Sequence, residues 1–283
     1  GLGAAALLAI AGMVGAIVSN RTGNSAVQQT FEVRGVVREV NRSENTLRVQ
    51  HEEIPGYMPA MTMSLPVKDP TLLHGLAPGD GVAFVLAVTE DDSWISRIER
   101  RTAGVPAPVA ALAAGANSSR VQAGEKVPDF TVVDQHGRAR SLSDFRGKAV
   151  LLNFIYTRCP LPNFCPLLSR KFAEMQQTLA TNLPGKFHLI SVTIDPEHDT
   201  PEVMGRYAKL WSKDDRTWTF GTAERAEINR IAASFGLIHE RAASGQIDHD
   251  LRTALIDPQG RLVHVWRSNF WKSQEIFQRL REL

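Results

Sequence analysis

Hydrophobic and polar positions change rhythm three times along this chain. Residues 1–19, GLGAAALLAIAGMVGAIVS, carry no charge, and Asn20 and Arg21 follow. Nineteen helical residues span about 28 Å at 1.5 Å per residue, near the roughly 30 Å of bilayer hydrocarbon. The pattern predicts a membrane segment over 1–20, either a retained anchor or a cleaved signal peptide. A buried globular helix is the third option, and the lack of any amphipathic stripe argues against it. Over 29–101 short alternating runs take over. Strands are predicted at 30–40, 46–51, 81–88 and 94–99, with turns at 41–45, 78–80 and 91–92. About five short strands in so few residues predict a small closed β-barrel, since closure removes exposed edges.

Residues 102–120 are rich in Ala, Gly, Pro and Ser and predict an interdomain linker. From there to 283 the rhythm is that of alternating strands and helices. Strands are predicted at 149–156, 187–194 and 218–220, and helices at 165–179, 201–210 and 223–235, with Asp199-Thr200 as a cap and Gly236 as a stop. A hairpin of 253–257 and 261–266 and a helix at 273–280 close the chain. This order predicts a thioredoxin-like α/β domain over 121–283. The whole is therefore expected to be multidomain: a membrane segment, a small all-β barrel, and an α/β domain.

Charge narrows the partners only a little. The formal net charge of +2 gives no basic surface that would point to nucleic acid. Two cysteines in 283 residues exclude a disulfide scaffold. Export, as the first segment implies, would place the pair where thiols oxidise unless kept reduced, so a thiol reductant is an expected partner.

Soft ligands concentrate in two places. The first is Met58-Pro-Ala-Met61-Thr-Met63, with His51 shortly before it; these are three of the six methionines. Met61 and Met63 are two apart and face one side of a strand. Thioether sulfur and neutral imidazole suit Cu(I) or Ag(I) and suit Mg²⁺ or Ca²⁺ badly. Core filling by methionine is the competing reading. The segment from His51 to Met63 resembles the CusF type of periplasmic copper- and silver-binding proteins, which are small OB-like barrels. That resemblance covers roughly residues 30–100 and implies His51, Met61 and Met63 as ligands. Met58 stands where the family carries a tryptophan, in a loop about one residue shorter, and reads as a fourth ligand or a lid. Trp94, at the far end of the unit, does not take the tryptophan's role.

The second place is Thr157-Arg-Cys159-Pro-Leu-Pro-Asn-Phe-Cys165-Pro, where a buried strand hands over to a helix. Two thiols there either exchange electrons through a disulfide or hold a soft metal. Cys165 at the helix start is the one whose pKa the helix would lower. A metal needs a third ligand, and His249, in Asp248-His249-Asp250 just before the strand at 253–257, is the best placed; a solvated loop histidine is the competing reading. The domain resembles the SCO/SenC family of thioredoxin-fold copper proteins linked to assembly of the CuA centre of cytochrome c oxidase. Val127-Pro-Asp-Phe130, Leu142-Ser-Asp-Phe-Arg-Gly-Lys148, Thr193-Ile-Asp-Pro-Glu-His-Asp-Thr200 and His249 with Leu255-Ile-Asp257 carry the likeness. It implies Cys159, Cys165 and His249 as ligands. Five residues separate the cysteines here, against three commonly in the family, and the acidic residue often found between them is missing.

Together these features predict a copper chaperone with two sites, one for Cu(I) in the barrel and one for Cu(I) or Cu(II) in the second domain. The implied place is the bacterial inner membrane with both domains facing the periplasm, or an exported form after signal cleavage. The implied partner is a cytochrome c oxidase subunit or another copper acceptor. A thiol–disulfide oxidoreductase acting on the cysteines of a copper-site partner, with Cys159 and Cys165 as catalytic residues, is the alternative, and peroxide reduction a weaker third. The approach Asp250-Leu-Arg-Thr253 lacks the proline of ordinary thioredoxins, which favours a histidine-ligated metal.

Overall fold

A computed structural model describes residues 29–89, 92–101, 120–241, 245, 247–269 and 271–283. Its first unit is a five-stranded antiparallel sheet. The strands are β1 (Gln29–Asn41), β2 (Thr46–His51), β3 (Met61–Pro66), β4 (Gly81–Val88) and β5 (Ser93–Arg101), in the order β3-β2-β1-β4-β5. Asn45, the one described non-glycine residue with positive φ (51°), turns β1 into β2. Period-two burial puts Val37, Leu47, Val49, Leu65, Phe84, Leu86 and Ile95 inside.

The expected closed barrel is corrected. No ladder joins β3 to β5; among the described residues the one β-bridge between those edges is the parallel pair Val67–Ile95, just past β3. β3 is short and ends in Pro66, which has no N–H to continue a ladder, and a 3-10 turn at Pro70–Leu73 then carries the chain away.

The second unit begins with a small hairpin of β6 (Thr131–Val133) and β7 (Ala139–Ser141). Its main sheet comprises β8 (Ala149–Ile155), β9 (Phe187–Thr193), β10 (Trp218–Gly221), β13 (Thr253–Ile256) and β14 (Leu262–Trp266), ordered β10-β9-β8-β13-β14. β8, β9 and β10 are parallel, and every residue of β8 and β9 is buried, as a sheet covered on both faces requires. The helices are α1 (Cys165–Asn182), α2 (Pro201–Trp211), α3 (Arg225–Ser234) and α4 (Ser273–Arg281). Phe172 of α1 meets Trp218 and Tyr207 of α2 meets Phe220 on one face of the sheet. Phe235, just after α3, meets Phe154 on the other. This is the thioredoxin-like arrangement predicted from the strand–helix order. A second hairpin, β11 (His239–Arg241) with β12 (Ile247–His249), is an element the sequence pattern did not predict.

The membrane segment is also corrected. Among the described residues no helix is long and apolar enough to cross a membrane. The segment at 1–20 lies outside the described residues, as does the linker at 102–119. Among the described residues, the expected membrane contact and inner-membrane location have no helix to carry them.

The two units dock on each other. Asp248 and Asp250 face β3: the Thr62 N–H donates to Asp248 Oδ2 (3.4 Å) and the Ser64 hydroxyl to Asp250 Oδ1 (3.1 Å). Asp250, only 1% exposed at its side chain, also lies 3.6 Å from Arg48 of β2 and 3.1 Å from Arg252. Arg267 pairs with Glu39 and Glu44.

Candidate metal centres

The first centre follows from strand register. His51 ends β2 directly opposite Met61 of β3, and Met63 sits opposite Val49 on the same face. The turn between the strands is pinned by Ile54, whose N–H and carbonyl both pair with Met58. That brings Met58 inward, and His51, Met58, Met61 and Met63 are all buried. The His51 ring carries the informative detail. Its Nδ1 lies 2.6 Å from the Glu52 carbonyl, so Nδ1 holds the proton. Nε2 is then an acceptor, and it is buried with no hydrogen-bond partner. Burial lowers the imidazole's pKa and keeps it neutral. A buried, unpaired lone pair among thioethers is a costly arrangement unless something soft and cationic occupies it. The donor set fits copper(I).

The second centre stands where β8 ends. Cys159 lies in the following loop, half-buried, while Cys165 opens α1 and is fully buried. β12 delivers His249, whose Nε2 is 4.0 Å from Cys165 Sγ. His249 Nδ1 donates to the Asp250 carbonyl at 2.8 Å, the same device seen at His51: each ring is tied to the next residue's carbonyl, which leaves Nε2 as the free acceptor. The Tyr156 ring meets His249 edge-on at 5.6 Å. Among the described residues no three His, Cys, Asp or Glu side chains stand as a finished metal cage. Cys159 Sγ also lies 3.9 Å from the Leu161 carbonyl, a contact open only to its thiol form. The trio is gathered, with Cys159 engaged by both Cys165 and His249.

The two thiols differ in acidity, in the opposite sense to the expectation from the helix start. A hydrogen bond from Cys165, and then His249, hold Cys159 well below the usual thiol range. Burial, together with the neighbouring Cys159 sulfur, pushes Cys165 up. Burial outweighs the helix N-terminus because Cys165 has no contact with water.

The supporting shell comes from the segment between β9 and α2. Asp199 accepts from the Thr157 N–H (3.0 Å) and the Thr193 hydroxyl (2.6 Å), fixing the start of the cysteine loop. Asp195, buried, accepts from Arg158 of that loop at 2.6 Å and from Arg241 of β11. One carboxylate thus ties the cysteine loop to the hairpin that presents His249. Sequence reasoning matched this segment without assigning it a task. Tyr57 and Asn163 were missed altogether: Asn163 Nδ2, between the cysteines, donates to Tyr57 Oη beside Met58 at 3.2 Å. Neither residue type carries a metal signal, so only the folded contact reveals them.

His188 and His264 are engaged in packing, away from either centre. His188 stacks on Phe145 and bonds Thr219, and His264 lies against Trp266. Trp94 is capped by Lys68, whose Nζ is 3.1 Å from the ring centre.

Residues 118–283 match the SCO1/SenC family, and residues 30–100 match the copper binding periplasmic protein CusF. The chain is similar to the mitochondrial Protein SCO2 homolog of Bos taurus, with 31% identity over 140 residues, 47% of this chain and 50% of that protein. The chain thus spans about half the length of the curated relatives it matches. A crystal structure of a SCO1/SenC family lipoprotein from Bacillus anthracis str. Ames aligns with a TM-score of 0.52 and 22% identity, over 56% of this chain and 94% of that one. The crystal structure of Arabidopsis thaliana ScoI with copper bound aligns with a TM-score of 0.50 and 20% identity, over 56% of this chain and all (100%) of that one. At these identities the two structures establish the thioredoxin-like fold alone. With well over half of its length matched, this chain belongs to the SCO1/SenC family and carries a CusF-like copper domain ahead of the family's own.

Proposed function

We propose that the chain is a copper chaperone that takes up Cu(I) at His51, Met61 and Met63, with Met58 as lid or fourth ligand, and holds copper at Cys159, Cys165 and His249 for delivery to an acceptor. The two units are taken as 29–101 and 121–283, joined by 102–120. The observation that carries this reading is the shared histidine device: two buried imidazoles, each with Nδ1 tied to the next carbonyl, leaving Nε2 of His249 4.0 Å from Cys165 Sγ and Nε2 of His51 buried without a partner. The thioether site suits Cu(I), and two thiolates with an imidazole suit both Cu(I) and Cu(II). A copper site of cytochrome c oxidase is the acceptor that the family relationship favours. The dithiol must be reduced to bind, because a disulfide removes both thiolates. Anaerobic copper titration with X-ray absorption tests the reading. Wild type should show separate thioether and thiolate populations, the Met61/Met63 double variant should lose the first, and His249→Ala should weaken the second. A reduced chain that takes up no copper at its thiolates would refute it.

One observation favours a second reading, a thiol–disulfide oxidoreductase acting on the cysteines of a copper-site partner. Cys159 is accessible and acidic and Cys165 is buried with a raised pKa, the division between an attacking and a resolving thiol. Here the Cys159 thiolate attacks a partner disulfide, one partner sulfur leaves as thiolate, and Cys165 then displaces the second. The result is a Cys159–Cys165 disulfide and a reduced partner. Turnover on a disulfide substrate that survives His249→Ala would select this reading; turnover too slow to follow would exclude it.

A further inference from the structure

The two candidate copper sites do not hang on independent units. β3 carries Met61 and Met63 on its inner face, and its outer side, through Thr62 and Ser64, is bonded to the two aspartates that flank His249. Asp250 is buried between Arg48 of the first unit and Arg252 of the second. A buried charge shared across a seam in this way fixes one docking geometry, because separation would strand it without its partners. β3 and β12 thus form the layer at which the two units meet. At the edge of that layer, the loop that carries Met58 meets the loop that carries the cysteines. Tyr57, next to Met58, stacks on Phe31 at 4.7 Å and accepts a hydrogen bond from Asn163, two residues before Cys165. Asn163 is fixed from the other side as well, its carbonyl accepting from Asn269 Nδ2. Cys159, the more accessible of the two thiols, belongs to this loop.

We propose that copper passes within one chain from the thioether site to the thiolate site, around this edge, with Met58 the last ligand of the first site and Cys159 the first ligand of the second. This rests on the copper reading above. The exchange moves Cu(I) without any change of oxidation state. Thioether and imidazole lone pairs are released, Cys159 and Cys165 sulfurs bind as thiolates, and any thiol proton either carries passes to solvent. Softness sets the direction, since anionic thiolate outcompetes neutral thioether for Cu(I). Fixed docking supplies the rate, since the second site is held beside the first rather than met by diffusion.

The test uses the full chain labelled at the methionine methyl groups. The cysteines are first oxidised to a disulfide, one equivalent of Cu(I) is added anaerobically, and the Met61 and Met63 methyl signals report its capture. A water-soluble phosphine then reduces the disulfide, and the return of those signals times the departure of copper. The expected result is a return rate unchanged over a wide dilution series. Tyr57→Phe, which deletes only the hydroxyl, should slow the return about five-fold, the loss of one hydrogen bond. Return that slows in proportion to dilution, or copper that stays on the methionines after reduction, overturns the relay and leaves the two-site reading standing. Methyl signals that never respond to Cu(I) overturn both.

Discussion

Replacing His51 by leucine should stabilise the metal-free protein while removing its first copper site. In the folded chain Nε2 is buried with no partner, which costs about 1–3 kcal/mol relative to a satisfied or apolar group. Leucine is similar in bulk and suits a site lined by Met61, Met63 and Val49. What is lost is the bond from Nδ1 to the Glu52 carbonyl, about 1 kcal/mol, and Glu52 is exposed enough for water to replace it. The expected net effect is a gain of about 1 kcal/mol. Urea unfolding of the metal-free protein, followed through the Met61 and Met63 methyl signals, reads the first unit by itself. With Cu(I) present the order should reverse, because only the wild type gains the free energy of binding. If His51→Leu destabilises the metal-free protein by more than about 1 kcal/mol, Nε2 has a partner after all and its availability for metal is refuted.

Three further outcomes are expected. Cys159 should be alkylated selectively near about pH 6, with Cys165 untouched, as mass spectrometry of peptides would show; equal labelling would refute the division of acidity. Stability should fall with acid through one buried and one half-buried histidine, His188 (pKa lowered to about 3) and His239 (lowered to about 4), both mainly by desolvation. The unfolded chain takes up their protons near 6.5 and the folded one does not, so their contribution is complete above 6.5 and declines below it. Two such groups set a ceiling of about 2.7 kcal/mol per pH unit, reduced by the partial exposure of His239, and a flat urea midpoint between pH 6.5 and about 4 would contradict it. Asp195→Asn should cost about 1–3 kcal/mol and loosen the cysteine loop, since Arg158 and Arg241 lose their shared carboxylate but remain half-solvated; an unchanged urea midpoint would show that the bridge positions nothing.

The sequence showed most plainly what depends on local pattern. β2 and β4 occupy the predicted residues, and α1 and α2 begin where Cys165 and the Thr200 cap place them. Strand periodicity alone put Met61 and Met63 on one face. Long-range features were hidden. β11 and β12 are three residues each, too short to show an alternation, yet they carry His249 into the core. Whether the first sheet closes depends on how β3 meets β5, which no single strand encodes. The order of thiol acidity also inverts the local expectation, because burial of Cys165 is set by residues far away in the chain.

The five-residue spacing of the cysteines, the main departure from the family pattern, gains a physical account from the docked units. A shorter loop would run directly from strand end to helix start. Here Asn163 reaches out of the longer loop to Tyr57 with its side chain, while its backbone carbonyl holds Asn269. The loop therefore serves two surfaces, the thiols and the Met58 loop of the preceding unit. The contact to Tyr57 exists only while the first unit is docked at that edge. Deleting Asn163 together with one neighbour, to restore three intervening residues, should then leave the thioredoxin-like core folded but free the first unit from the cysteine loop. Protection of the Tyr57 amide against hydrogen exchange reports that release, since Tyr57 N–H bonds Ile54 within the lid itself. Unchanged exchange in the shortened chain would show that the extra residues have no part in docking.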